Sequence, residues 1–153
     1  GGLALGADAE AWRGRLASAG HLDAVKPALT VAENLAAWAG LYGGGGVEAA
    51  LARFGLARLA DMPAGWCSAG QKRRLGLARL LVADRPLWLM DEPTVSLDAA
   101  SVDTLAAVVR AHLAAGGLAV IATHAPLGLE GLAVGLAPAA AAAADEAFGG
   151  AWA

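Results

Sequence analysis

Residues 67–92 decide the fold: Cys67-Ser68-Ala69-Gly70-Gln71, a stretch of helix length, then Leu87-Trp88-Leu89-Met90 running into Asp91-Glu92. Ser68 and Gln71 have capping-box spacing, in which the serine caps the helix and the glutamine reaches back. Ala69 and Gly70 are small, so another group can approach the backbone N–H groups of the first turn. Those amides have no partner inside the helix, which makes such a helix start a ready seat for an anion such as a phosphate. The apolar run 87–90 is bounded by Pro86 and has the length of a buried strand. Ligands of open α/β sheets bind beyond the C-terminal ends of strands. Asp91 and Glu92 are therefore placed to meet a metal-bound phosphate ligand.

Outward from this stretch the chain alternates strand and helix. Upstream, Arg15 to Gly20 reads as a weak strand and Ala9 to Ala17 as a short helix or loop. Thr30 and Glu33 form a second capping box, with Val31, Leu35 and Trp38 on one helical face, and that helix is expected to end near Gly40. Gly43 to Gly46 reads as a flexible break. A short helix over Val47 to Phe54 follows, stopped at Gly55. The helix after Ser68 is predicted over 69–83. Downstream, Asp98 looks like the cap of a helix with the face Val102, Leu105, Val109 and Leu113, stopped by Gly116-Gly117. Leu118 to Thr123 reads as a second buried strand and Leu132 to Leu136 as a last short one. Pro138 to Ala144 is alanine-rich low complexity, and the tail 145–153 is expected to be loosely held. Strands alternating with helices predict a parallel α/β sheet.

Composition narrows the class. A chain of 153 residues is one domain's worth. The formal charge of −3 leaves no basic footprint, so nucleic acid is not an expected partner. Cys67 is the single cysteine, which excludes an internal disulfide. Ala111 to Leu129 carries no Asp, Glu, Lys or Arg and approaches the ~20 residues that span a bilayer. It also contains His112, Gly116-Gly117, His124 and Pro126, and so reads as a helix end, a strand and a loop. The start shows no charged-then-apolar signal-peptide pattern.

The ensemble of motifs resembles the ABC-type ATPases. Cys67-Ser68-Ala69-Gly70-Gln71 is similar to their signature, usually LSGGQ, with cysteine in place of leucine. Leu87 to Glu92 resembles the Walker B strand, Ser96-Leu97-Asp98 the D-loop, and Ile121-Ala122-Thr123-His124 the strand ending in the switch histidine. Each motif alone is weak; their shared order and spacing are strong. His21 stands where most members have the Q-loop glutamine. The run from Gly20-His21-Leu22-Asp23 to Leu29-Thr30-Val31-Ala32-Glu33-Asn34-Leu35, together with Lys72-Arg73-Arg74, Pro86-Leu87-Trp88-Leu89 and Gly150-Ala151-Trp152-Ala153, looks like the ATPase subunits of bacterial heme exporters of cytochrome c maturation.

The resemblance implies a P-loop NTPase fold of ABC type, a parallel-sheet core with an inserted helical subdomain. It implies residues 30–83 as that subdomain with the signature helix, 84–137 as the Walker B, D-loop and H-loop core, and 138–153 as a tail. It implies ATP and Mg2+ as cofactors, a second copy of the ATPase subunit arranged head-to-tail, an integral membrane transporter subunit, and a peripheral position on the cytoplasmic face of the inner membrane. Ser68, Ala69, Gly70 and Gln71 would contact the γ-phosphate of ATP held by the other copy. Asp91 would hold Mg2+ through water, Glu92 would orient or deprotonate the attacking water, and His124 would stabilise the developing charge. Asp98 would cap its helix and signal across the dimer. His21 would touch the metal or water and sense the membrane subunit.

Plainer readings stand beside these. Ser68 is also an ordinary cap, Asp91-Glu92 a solvated strand end, and His21 a surface histidine. Lys72, Arg73 and Arg74 oppose the helix dipole directly after the cap, which favours an anion nearby, although Arg73 and Arg74 also read as solvated surface charge. His112 and the tryptophans Trp12, Trp38, Trp66 and Trp152 read as packing residues. The phosphate-cradling G-x-x-x-x-G-K-S/T loop is not in the sequence: Gly1 and Gly6 have its glycine spacing, but Ala7 and Asp8 follow. The resemblance implies that this loop lies upstream of Gly1, making the chain a C-terminal portion that binds ATP poorly and turns over nothing alone. The alternatives are an ABC ATPase for another substrate, or a non-catalytic module lending only its signature to a partner.

Overall fold

Among the described residues, the strand that ends at Asp91 is the middle one of a three-stranded sheet. The computed structural model describes Trp12 and residues 14–135. In chain order these form β1 (Leu16–Ala19), α1 (Val31–Tyr42), α2 (Val47–Arg53), two short 3-10 turns at Ala57–Leu59 and Ala64–Trp66, α3 (Ala69–Ala83), β2 (Leu87–Asp91), α4 (Ala99–Ala114) and β3 (Leu118–Ala122). The strands run parallel in the order β1-β2-β3, with Leu16, Leu87 and Leu118 in one row and Ala19, Met90 and Ile121 in another. The expected parallel α/β sheet is therefore present, with helices supplying the crossovers that parallel strands require.

The sheet is covered on one face. Ala17, Ala19, Trp88 and Met90 are buried against Leu77 and Leu80 of α3 and Leu105 and Val109 of α4. Trp88 stacks on His112 of α4 with ring centroids 3.7 Å apart, so His112 packs as the sequence predicts. The other face carries Leu118 and Val120, which are 66% and 61% exposed. The expectation of a buried strand at 118–123 is thus corrected. An apolar run reports affinity for a covered face, but among the described residues nothing lies over this one, and β3 is an edge.

The helices α1, α2 and α3 pack on one another, with Val31, Leu35, Leu51, Phe54 and Leu77 inside. Arg79 of α3 lies 5.2 Å over the ring of Trp38, which stacks on Tyr42. Buried Asn34 shapes the entry to α1: its side chain accepts from the Lys26 amide and donates to the Lys26 and Thr30 carbonyls.

Several boundaries differ from expectation. The helix α1 runs past Gly40 to Tyr42, because the left-handed residue that ends it is Gly43, at φ 68°. The break at Gly43–Gly46 is not simply flexible: a Cβ on Gly44 would collide with the Val82 carbonyl, so the loop is pressed against α3. No strand forms over residues 131–135. Trp66 is 79% exposed rather than packed. The glycine pair Gly1 and Gly6, Ala7 and Asp8, residues 9–11 and 13, Leu136, the alanine-rich stretch and the tail with Trp152 lie outside the described residues, and Leu16 and Ala17, at the end of the segment read as a short helix or loop, are strand residues of β1. Among the described residues, no helix is long and apolar enough to cross a membrane.

Candidate functional site

The chemistry gathers where β2 and β3 end. Asp91 is in register with Ala122, and the Glu92 amide adds one more rung by donating to the Ala122 carbonyl at 2.8 Å. That rung puts the residues after both strands side by side. His124 Nδ1 then meets Glu92 Oε1 at 2.8 Å, although the two residues are 32 apart in sequence. Glu92 sits at φ 44°, a left-handed conformation that a non-glycine residue adopts only when its surroundings hold it there. Its second oxygen, Oε2, is buried and has no hydrogen-bond partner among the described residues. Asp91, the preceding residue, is exposed. Glu92 and His124 thus meet at the strand tips, and Asp91 precedes Glu92 at the end of β2.

A second group forms at the start of α3. Ser68 Oγ accepts from the Gln71 amide at 3.3 Å, and Gln71 Oε1 accepts from the Ser68 amide at 2.7 Å, so the predicted capping box is complete. The Ala69 and Gly70 amides have no hydrogen-bond partner among the described residues. Gly70 is glycine for a steric reason, since a Cβ there would lie 2.9 Å from the Ser96 carbonyl. Ser96 itself turns the chain at φ 64°, and Asp98 then caps α4 by accepting from the Ser101 amide at 2.8 Å. Hydrogen bonds from Ser101 hold the Asp98 carboxyl below its ordinary value. The helix start and the 96–98 segment therefore adjoin within one chain.

His21 is exposed and makes no hydrogen bond among the described residues, so the geometry does not draw it into either group. Cys67 is buried behind the cap, and burial pushes its thiol up, away from reactivity. A cavity of about 640 Å³ lies at the opposite end of β2, lined by Arg85, Trp88 and His112 among others, away from the strand tips.

Arg73 corrects the sequence reading. It is 4% exposed, not a solvated charge. Its Nη2 donates to the Asp91 and Glu92 carbonyls at 3.2 and 2.7 Å, and its Nε to the Pro93 carbonyl at 3.3 Å. Its Nη1 donates to the Gly20 carbonyl and pairs with Asp23 at 3.0 Å. Arg74 is half-buried and donates to the Phe54 carbonyl at 3.0 Å, and Lys72 reaches the Gly65 carbonyl at 3.3 Å. Protein carbonyls and Asp23 compensate these cations, so the charges after the cap are no evidence for an anion. Nothing local in the sequence marks Arg73, because its partners lie about residues 20 and 92.

A family model described as "ABC transporter" matches residues 4–95. The chain belongs to the ABC transporter family. Among curated relatives, it is 62% identical over 114 residues to the cytochrome c biogenesis ATP-binding export protein CcmA of Paracoccus denitrificans, covering 74% of this chain and 54% of that protein. It is 54% identical over 136 residues to CcmA of Paramagnetospirillum magneticum, covering 85% and 63%. The chain spans between about half and two-thirds of the length of these relatives. Its fold is similar to that of an ATP-binding subunit of an ABC transporter, with a TM-score of 0.67 at 24% identity over 74% of this chain and 50% of the other. It is also similar to the ATP-binding cassette MJ0796, a dimeric post-hydrolysis structure bound to ADP and Pi, with a TM-score of 0.64 at 24% identity over 72% and 53%.

Proposed function

We propose that the chain is part of an ATP-hydrolysing subunit of an ABC transporter that serves heme export in cytochrome c biogenesis. The observation that carries the catalytic half of this reading is the 2.8 Å contact between Glu92 and His124 at the ends of adjacent strands. The similarity to CcmA proteins supports the transport half. Residues 30–83 are read as the helical subdomain, 84–137 as the catalytic core and 138–153 as a tail.

Each residue has a role in this reading. Glu92 Oε1 is held by His124, which leaves Oε2, buried and unpartnered, to accept a proton from a water molecule. A protonated His124 donates from both nitrogens, one to Glu92 and the other to a phosphate oxygen. Mg2+ suits the end of β2 by donor chemistry, because Asp91 is an exposed carboxylate and Glu92, the next residue, keeps one oxygen without a partner among the described residues. The ion would neutralise phosphate charge.

Ser68, Ala69, Gly70 and Gln71 face the γ-phosphate of ATP bound to a second, head-to-tail copy, with Asp98 and Ser96 at that junction. The unpartnered Ala69 and Gly70 amides support this. His21 is read as touching the metal or water and sensing an integral membrane subunit, and the assembly as peripheral on the cytoplasmic face of the inner membrane.

The test joins this chain to a G-x-x-x-x-G-K-S/T loop in one polypeptide and replaces Glu92 by Gln. Turnover is expected to fall on the order of 100-fold or more while ATP stays bound. Unchanged hydrolysis overturns the reading. The unextended 153-residue chain, which contains no such loop, is expected to show no tight ATP binding in equilibrium dialysis.

A further inference from the structure

We propose that Arg73 is a positioning residue for Glu92, fixing the strained peptide that aims the carboxylate at His124. This rests on the reading of Glu92 as the group that faces water.

An arginine side chain carries five N–H donors in a rigid planar fork. Arg73 has five acceptors at hydrogen-bond distance: the carbonyls of Gly20, Asp91, Glu92 and Pro93, and Asp23 Oδ1. Every donor is thus engaged. Three of the acceptors are consecutive carbonyls around the one residue of β2's end with a positive φ, Glu92 at 44°. Consecutive carbonyls in a strand point to opposite sides. Here they converge because the chain turns around the guanidinium. The shortest of the three contacts, 2.7 Å, is to Glu92 itself. From the other side the Glu92 amide is held by Ala122 at 2.8 Å, so the peptides flanking the Glu92 Cα are clamped independently.

The clamp has a firm footing. Arg73 stands on α3, whose neighbouring residues Leu75 and Leu77 are buried. Its anchor Asp23 is pressed against the same helix, since a Cβ on Gly76 would lie 3.0 Å from Asp23. Arg79, a turn and a half further along α3, donates to the Asp23 carbonyl at 3.3 Å and holds that segment too. Lysine has three donors on a point charge and lacks the fork. It can keep the charge near Asp23 but cannot hold five acceptors.

The test uses the nucleotide-free 153-residue chain, uniformly 15N-labelled, as wild type and as Arg73→Lys and Asp23→Asn. Two signals are read: hydrogen exchange at the Glu92 amide against the Leu80 amide of α3, and the imidazole 15N resonances of His124. In Arg73→Lys the Glu92 amide is expected to exchange roughly ten-fold faster while Leu80 changes less than about two-fold, and the Nδ1–H signature of the Glu92 contact is lost. Asp23→Asn leaves α3 packing intact and is expected to accelerate Glu92 by roughly three-fold. Equal acceleration at Glu92 and Leu80 makes Arg73 a general stabiliser and overturns the proposal. So does an unchanged Glu92 amide in either variant. If Arg73→Lys does not fold, the Asp23→Asn result decides. Because no nucleotide is present, failure here is separate from failure of the hydrolytic reading, which Glu92→Gln tests. In a polypeptide completed with the phosphate loop, Arg73→Lys is expected to lower kcat for ATP with KM unchanged.

Discussion

Two helix starts in this protein are built from the same device. Thr30 and Glu33 cap α1, and Ser68 and Gln71 cap α3. The cap residues have nearly the same backbone, φ −66° and ψ 166° against φ −63° and ψ 165°. The reciprocal hydrogen bonds match as well, 2.7 and 3.1 Å in α1 and 2.7 and 3.3 Å in α3. The difference lies in the next two amides. In α1 the Val31 amide donates to the Met62 carbonyl and the Ala32 amide to the Ala60 carbonyl, and Val31 is fully buried. In α3 the equivalent Ala69 and Gly70 amides are uncommitted among the described residues, and Ala69 is exposed. A capping box starts a helix. Whether that start can receive an anion depends on whether the fold has already used the remaining donors.

The largest expected effect on this contrast comes from Gly70, which corresponds to Ala32 in α1. Gly70→Val would drive a side chain into the Ser96 carbonyl, a backbone atom that cannot swing aside. Overpacking of this kind costs about 1–3 kcal/mol. Thermal denaturation is expected to show that loss, and association of copies carrying the phosphate loop is expected to vanish in the presence of ATP. A variant that associates normally would remove the functional difference between the two helix starts.

A smaller and more discriminating pair is Thr30→Ala and Ser68→Ala. Each loses one cap and is expected to cost about 1 kcal/mol in urea unfolding. Only Ser68→Ala is expected to weaken ATP-dependent association as well, and equal weakening by Thr30→Ala would collapse the distinction.

The smallest effect belongs to Asp98, beside the α3 start. Its carboxyl is held below the ordinary 3.8 by Ser101, so its folded value is depressed. The stabilisation is present above the unfolded value and is lost as pH falls through the folded value. Asp98→Asn keeps an acceptor at the cap and is expected to flatten the acid limb of stability below about pH 4. Acid titration followed by circular dichroism reads it.

Local signals were enough for much of this. The bounds of α3, 69–83, are those read from Ser68, Gln71 and the run after them, because a cap and a helix-favouring stretch act within one or two turns. The bounds of α1 were less legible. Gly40 and Gly43 are both glycines, and only the chain's path decides which one adopts the left-handed conformation. The exposure of β3 and of Trp66 was hidden for a similar reason: apolar character states a preference for burial, not whether a neighbour provides it. Arg73 was the largest miss. Its sequence neighbours Lys72 and Arg74 make it look like surface, yet its partners come from two distant segments.

The sequence by itself determined the helix starts, the strand-length runs and the residue types that can handle a phosphate, since these follow from interactions spanning a few residues. The tertiary structure decided which of those groups act together. The register of β2 against β3 brings Glu92 to His124, the packing of Thr30–Ala32 against residues 60–62 closes one helix start while the other stays open, and the fold wraps Gly20, Asp23 and Asp91–Pro93 around Arg73. Each of these contacts joins residues about 30 or more apart along one of its arms. Their geometry depends on how whole elements dock, which no short stretch of sequence encodes.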